Sequence, residues 1–163
     1  MKKLLTLLVV CAFALPMTAQ ESKAQAAFLP YLGFDLDAQA LFLGVGAEFG
    51  LPFGQAIGLE LRPSAEYLFS GEGSDVTRLQ FNADVIGNLA GGGPGLGLFA
   101  GAGLGVRYFG GADGVDSATN LGLNVLAGAE FGAGFLTPFA QGRVHIGDGG
   151  TALAVMGGVK LGL

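Results

Sequence analysis

The residues of this chain that can do chemistry are few, and each lacks a companion. His145 is the only histidine and Cys11 the only cysteine. An imidazole activates a nucleophile only within hydrogen-bond reach. No nucleophile within reach of His145 can be named, and the next residue on its side of a strand is Gly147. Glu60 and Glu66 have the chemistry of a general acid and base, but Arg62, Arg107 and Arg143 make structural ion pairing the better account of them. Asp35 and Asp37, with Glu72 or with Asp113 and Asp116, gather carboxylates of the kind that hold Ca²⁺, without the regular ligand spacing of a calcium loop. Gly91 to Gly95 and Gly101-Ala102-Gly103 are glycine-rich, yet no Lys-Ser/Thr follows either. The expectation is no catalytic residue, no metal and no cofactor.

The elements that must position the polar residues show a period of two. From Leu41 to Phe49, odd positions are Leu, Val, Ala or Phe, and even ones include Gly44, Gly46 and Glu48. From Leu59 to Phe69 the odd set is Leu59, Leu61, Pro63, Ala65, Tyr67 and Phe69, while the even set is Glu60, Arg62, Ser64, Glu66 and Leu68. The same alternation spans Leu79–Val85, Leu96–Tyr108, Leu121–Phe131, Phe139–Ile146 and Leu153–Leu163, with a weaker first segment at Phe28–Leu36. Segments of this length suit tilted membrane strands, which need about 9–11 residues. Turn clusters rich in Gly, Pro, Asp and Ser separate them. The prediction is an all-β fold, an eight-stranded antiparallel transmembrane barrel in an up-and-down meander.

An eight-stranded barrel has an interior just wide enough for side chains. Charges share their face with glycine, notably Gly97, Gly101, Gly103 and Gly105 on the fifth segment, so that face is expected inside. The predicted lumen network comprises Glu48, Glu60, Arg62, Glu66, Asp84, Arg107, Glu130, Arg143, His145 and Lys160, with acids and bases placed to pair. Phe49, Phe53, Phe131 and Phe135 are expected as one aromatic girdle, and Tyr67, Phe69, Tyr108 and Phe109 as the other. With the first strand running outward, the odd connections carry Glu72, Asp75, Asp113, Asp116 and Asp148, and the even connections carry no acid.

At the start of the chain, Lys2 and Lys3 precede an apolar run from Leu4 to Leu15 and then Pro16, the layout of a secretory leader. The run is too short for a spanning helix, which needs roughly 20 apolar residues. Residues 1–26 are assigned as a signal peptide, with cleavage after Ala26 preferred and a cut after Ala19 as the alternative; residues 27–163 form the barrel domain. Val10 before Cys11 argues against lipidation there, and Cys11 departs with the leader, leaving no internal disulfide. Charged residues make up 13% of the chain and hydrophobic ones 51%, against roughly 25% charge in soluble domains. Without Lys2, Lys3, Glu21 and Lys23 there remain five bases against twelve acids. No basic patch exists for phosphate contacts, so nucleic acid is excluded as a partner.

The pattern, the strand number and the chain end resemble the small outer-membrane barrels of the OmpA/OmpX type. That family's last strand carries an assembly signal, a glycine followed by two apolar residues at the extreme end, and Gly158, Leu161 and Leu163 match those places. Two positions depart from the family pattern: Leu163 replaces the usual terminal Phe, and Met156 replaces a polar residue. The resemblance implies a bacterial outer-membrane location, lipid contact, recognition by the barrel-assembly machinery through the last strand, and a barrel-only member. The expected function is a structural or surface role for a monomeric, non-enzymatic protein, with a polar, plugged lumen of little conductance. Alternatives are a lipid-modifying barrel enzyme and a soluble periplasmic lipocalin-like binding barrel. The outer loops are expected to be too short for a strong adhesin, because a specific interface takes roughly 20–30 residues per side.

Overall fold

The computed structural model describes residues 26–51, 58–69, 77–89, 95–110, 117–132 and 135–163. The proposed leader, Phe53 and the loop acids Glu72, Asp75, Asp113 and Asp116 lie outside the described residues. Eight strands follow one another: β1 Ala26–Asp35, β2 Ala40–Gly50, β3 Leu59–Leu68, β4 Arg78–Leu89, β5 Leu96–Phe109, β6 Ala118–Phe131, β7 Leu136–Gly147 and β8 Gly150–Gly162. Each pairs antiparallel with its neighbours in sequence, and β1 also pairs with β8, so the sheet closes on itself as the alternation predicts. The closing contact reaches the chain end, where Leu163 N–H donates to Ala26 C=O at 2.9 Å. The end holding Ala26 and Leu163 is called the terminal end, and the other the loop end.

Alternation of side chains puts one face of every strand on the lumen and the other outward. Leu32, Leu43, Leu104, Leu123 and Val125 stand on the outer wall, each more than half exposed. Arg62, Glu66, Asp84, Asn124, Arg143 and His145 are buried inside. This inverts a water-soluble barrel, whose apolar residues fill the interior.

The inner face is not uniformly polar, which refines the expectation of a polar lumen. Leu29, Tyr31, Phe42, Leu68, Phe139 and Met156 pack together on one side, and Ile86, Phe99 and Leu126 on another. Inner glycines supply the space for these rings. A Cβ on Gly44 would collide with the Tyr31 ring, and one on Gly128 with Phe99. The Tyr31 ring also meets Phe42 and Phe139 edge-on, at centroid distances of 6.4 and 6.3 Å.

The turn after β1 is tied by Asp35, whose Oδ1 accepts from Asp37 N–H at 3.1 Å and Ala38 N–H at 2.9 Å. This is the Asx geometry that lets an aspartate begin a turn. The turn after β7 is closed by Asp148 and Gly149, with Gly150 at φ +104°, a conformation glycine adopts without strain.

Three strand prolines, Pro30, Pro63 and Pro138, each lack the N–H of a ladder bond. Opposite Pro30 the β1–β8 register skips from Phe28↔Leu161 to Tyr31↔Gly158. Opposite Pro63 the β2–β3 register skips from Gly46↔Ser64 to Phe49↔Leu61. The β6–β7 ladder ends at Glu130↔Phe139, one residue short of Pro138.

Candidate functional site in the barrel lumen

Register places the charges in three tiers. At the terminal end, β2, β3, β6 and β8 contribute Glu48, Glu60, Arg62, Glu130 and Lys160. Arg62 donates to Glu48 Oε2 through Nε at 3.0 Å and Nη2 at 2.5 Å, and to Gln141 Oε1 through Nη1 at 2.8 Å. Its guanidinium carbon lies 4.7 Å from the Phe99 ring centroid and 5.8 Å from that of Phe139, a cation–π seat. Lys160 Nζ pairs with Glu48, lies 3.4 Å from Glu130 and reaches to 3.9 Å from Glu60.

The central tier is built on Glu66 of β3. Arg143 Nη1 and Nη2 donate to its two oxygens at 2.6 Å each, a bidentate fork. Tyr31 O–H donates to Glu66 Oε1 at 2.8 Å. Asn82 donates to Ser64 Oγ and Glu66 Oε1, while Asn124 donates to Asn82 Oδ1 and Asp84 Oδ1. His145 Nδ1 lies 2.9 Å from Asn124 Oδ1. At the loop end, Arg107 donates to Gln80 Oε1 at 2.8 Å and to Asp35 Oδ2 at 3.1 Å. Arg78 lies over the Phe109 ring at 6.0 Å.

All ten residues predicted for the lumen occupy inner-face positions; Arg62, Arg143 and Lys160 pair within the expected set of carboxylates, whereas Arg107, Asp84 and His145 do not. Arg107 pairs with Asp35, which the sequence reading placed among rim carboxylates able to gather Ca²⁺. Asp35 is 1% exposed and committed to Arg107 and its own turn. Asp84 accepts from an amide rather than from a base, and His145 meets Asn124 rather than a charge. Phe109, expected in the outer girdle, shares the inner face with Arg107, because an even separation on a strand preserves the face. Of the proposed assembly residues, Gly158 backs onto Tyr31 across the β1–β8 seam, Leu161 pairs with Phe28, and Leu163 is 86% exposed at the terminal end.

Sequence reasoning missed Tyr31, Asp35 and Arg78 as lumen residues. The signal was available in β1, where Leu29, Tyr31, Gly33 and Asp35 share one parity, but this face reads as apolar and hides its two polar members. No three His, Cys, Asp or Glu side chains among the described residues converge on a point where a metal would sit. Chemically, the arrangement pairs buried charges: six inner carboxylates, Asp35, Glu48, Glu60, Glu66, Asp84 and Glu130, face five bases, Arg62, Arg78, Arg107, Arg143 and Lys160. Pairing of this kind is what allows charge to remain in a low-dielectric interior.

The class this fold defines is the eight-stranded transmembrane β-barrel. Among solved structures, the N-terminal β-barrel domain of Pseudomonas aeruginosa OprF is 17% identical, with TM-score 0.65, over 85% of this chain and 97% of that one. Neisserial surface protein A is 14% identical, with TM-score 0.63, over 86% and 96%. Ail, the attachment invasion locus protein of Yersinia pestis, solved with the heparin analogue sucrose octasulfate, is 14% identical, with TM-score 0.57, over 87% and 100%. No protein-family model matches the chain, and no curated protein matches it in sequence.

Proposed function

We propose that the chain is a bacterial outer-membrane protein with a structural or surface role, a closed lumen and no enzymatic activity. The observation that carries this reading is the sorting of side chains: a leucine- and valine-rich outer wall around an interior that holds every base beyond Lys23. Such a wall requires lipid around it. It also argues against a soluble lipocalin-like barrel. The loop end faces outward, and the mature protein is a monomer delivered by the assembly machinery through Gly158, Leu161 and Leu163.

The tiers of ion pairs and the two apolar clusters support the reading of a plugged lumen. The space bordered by Arg62, Asp84, Phe139 and Arg143 is only about 10 Å³, enough for a single water. Ail was solved with a sulfated heparin analogue. A sulfated glycan needs exposed cations, and in this chain the five bases beyond Lys23 are all on the inner face.

Membrane separation after expression with the leader is expected to place the protein in the outer-membrane fraction as a heat-modifiable band. Planar bilayers are expected to show little stable conductance. Recovery in the soluble periplasm, or a large steady conductance, would overturn the reading.

A further inference from the structure

At the loop end of the lumen, a cavity of about 40 Å³ lies between Arg107, Phe109, Asn120 and His145, bordered by Gly149 and Gly150 of the β7–β8 turn. Glycine makes the room for the imidazole: a Cβ on Gly122 would stand 2.6 Å from His145 Nε2. The neighbours fix the tautomer. Asn124 spends its amide N–H groups on Asn82 Oδ1 at 3.0 Å and Asp84 Oδ1 at 2.9 Å, so its Oδ1 must accept from His145 Nδ1. Nδ1 therefore carries the proton, and Nε2 holds a lone pair. The residue is 3% exposed, and Nε2 is buried with no hydrogen-bond partner among the described residues. With Nδ1 turned to Asn124, Nε2 lies over Gly122, beside the cavity that His145 lines.

Opposite the imidazole, Arg107 is held in place by Gln80 and Asp35. Among the described residues that line the cavity, Arg107 is the one permanently charged side chain, so the cavity wall itself carries positive charge. A cation is disfavoured there. A single water needs about 10–15 Å³ of this kind of space, and a cavity of about 40 Å³ has room for an ion of four or five heavy atoms. We propose that this cavity is a binding subsite for a small oxyanion that retains a hydroxyl group, of the hydrogen phosphate or bicarbonate kind. Arg107 and Asn120 hold its charged oxygens, and His145 Nε2 accepts its hydroxyl proton. Chloride and nitrate satisfy Arg107 but leave Nε2 unpaired. A phosphate still attached to a lipid is too large for the space and lies on the wrong side of the wall.

Because the chain has one histidine, the folded protein in detergent, labelled with ¹⁵N-histidine, gives one pair of imidazole resonances. At a fixed pH above the imidazole titration, free protein is expected to show Nδ1 protonated and Nε2 bare. Inorganic phosphate or bicarbonate is expected to shift Nε2 saturably, with nitrate at least tenfold weaker. Asn120→Leu, which fills the cavity, should weaken the response at least tenfold while circular dichroism stays that of the barrel. Arg107→Gln should do the same, and Asp35→Asn/Arg107→Gln replaces it if the single variant leaves Asp35 unpaired and fails to fold. A free-state proton on Nε2, a non-saturating response, an equal effect of nitrate, or full binding by the folded variants would each overturn the proposal.

Discussion

Glu66 shows how much depends on single contacts in the lumen, since it accepts from both Arg143 terminal nitrogens, Tyr31 and Asn82. Arg143→Met leaves that carboxylate buried beside two neutral donors, and breaking one side of such a pair costs about 3–5 kcal/mol. Urea unfolding of the protein in lipid vesicles is expected to show a loss of this order. The double variant Arg143→Met/Glu66→Leu should recover much of it, because no charge is then left unpaired. Gly128→Leu tests steric fit, as its side chain would collide with Phe99 and the Ala140 backbone. Overpacking of this kind costs about 1–3 kcal/mol or more, whereas Gly142→Ala, with nothing within 4 Å of its Cβ, should be nearly neutral in the same assay. Residue type and parity made the inner face legible for Glu48, Arg62 and Arg143. They could not assign partners, because pairing across the lumen joins residues 72 positions apart, as in Asp35 with Arg107.

Strand identity was the most legible level, and strand ends the least. The fourth segment reads as Leu79–Val85, yet β4 extends from Arg78 to Leu89. Beyond Val85 an apolar residue, Ile86, turns inward and Gly87 turns out, so the polarity pattern reverses while the ladder continues to Leu89↔Leu98. Outer positions carry their own expectation. Leu123, 59% exposed on β6, faces lipid under the proposed reading. Leu123→Arg should cost about 2–4 kcal/mol if the position lies near the bilayer midplane, measured by the same unfolding assay. Pro30 creates a local weakness in the β1–β8 seam. Pro30→Val supplies the missing donor but loosens the unfolded chain, two effects of about 1 kcal/mol or less that oppose each other. Stability is therefore expected to change little, while hydrogen–deuterium exchange at Val159 and Lys160 slows.

For the whole molecule, closure is what makes the outer wall and the filled lumen compatible, because a closed sheet has no edge to expose. Residues 112–116 fall between β5 and β6 in the sequence, in a connection that the proposed reading puts outside, and their deletion is expected to leave the barrel intact and surface binding little changed. A tight, saturable partner interaction lost on that deletion would instead make the protein an adhesin. The pairing of Ala27 with Gly162 at the β1–β8 seam has one further consequence. The first strand starts beside the end of the last one, so the ring has no structural beginning, and the covalent break can be moved. A circular permutant that joins Leu163 to Ala27 through a short linker and opens between Asp148 and Gly149 should refold in detergent to the same barrel, since chain ends that lie close together tolerate such rearrangement. In the cell the outcome should differ, because β8 would then open the polypeptide and Leu163 would no longer be its last residue. A permutant that refolds from urea yet fails to reach the outer membrane would separate the information for the shape from the information for its delivery.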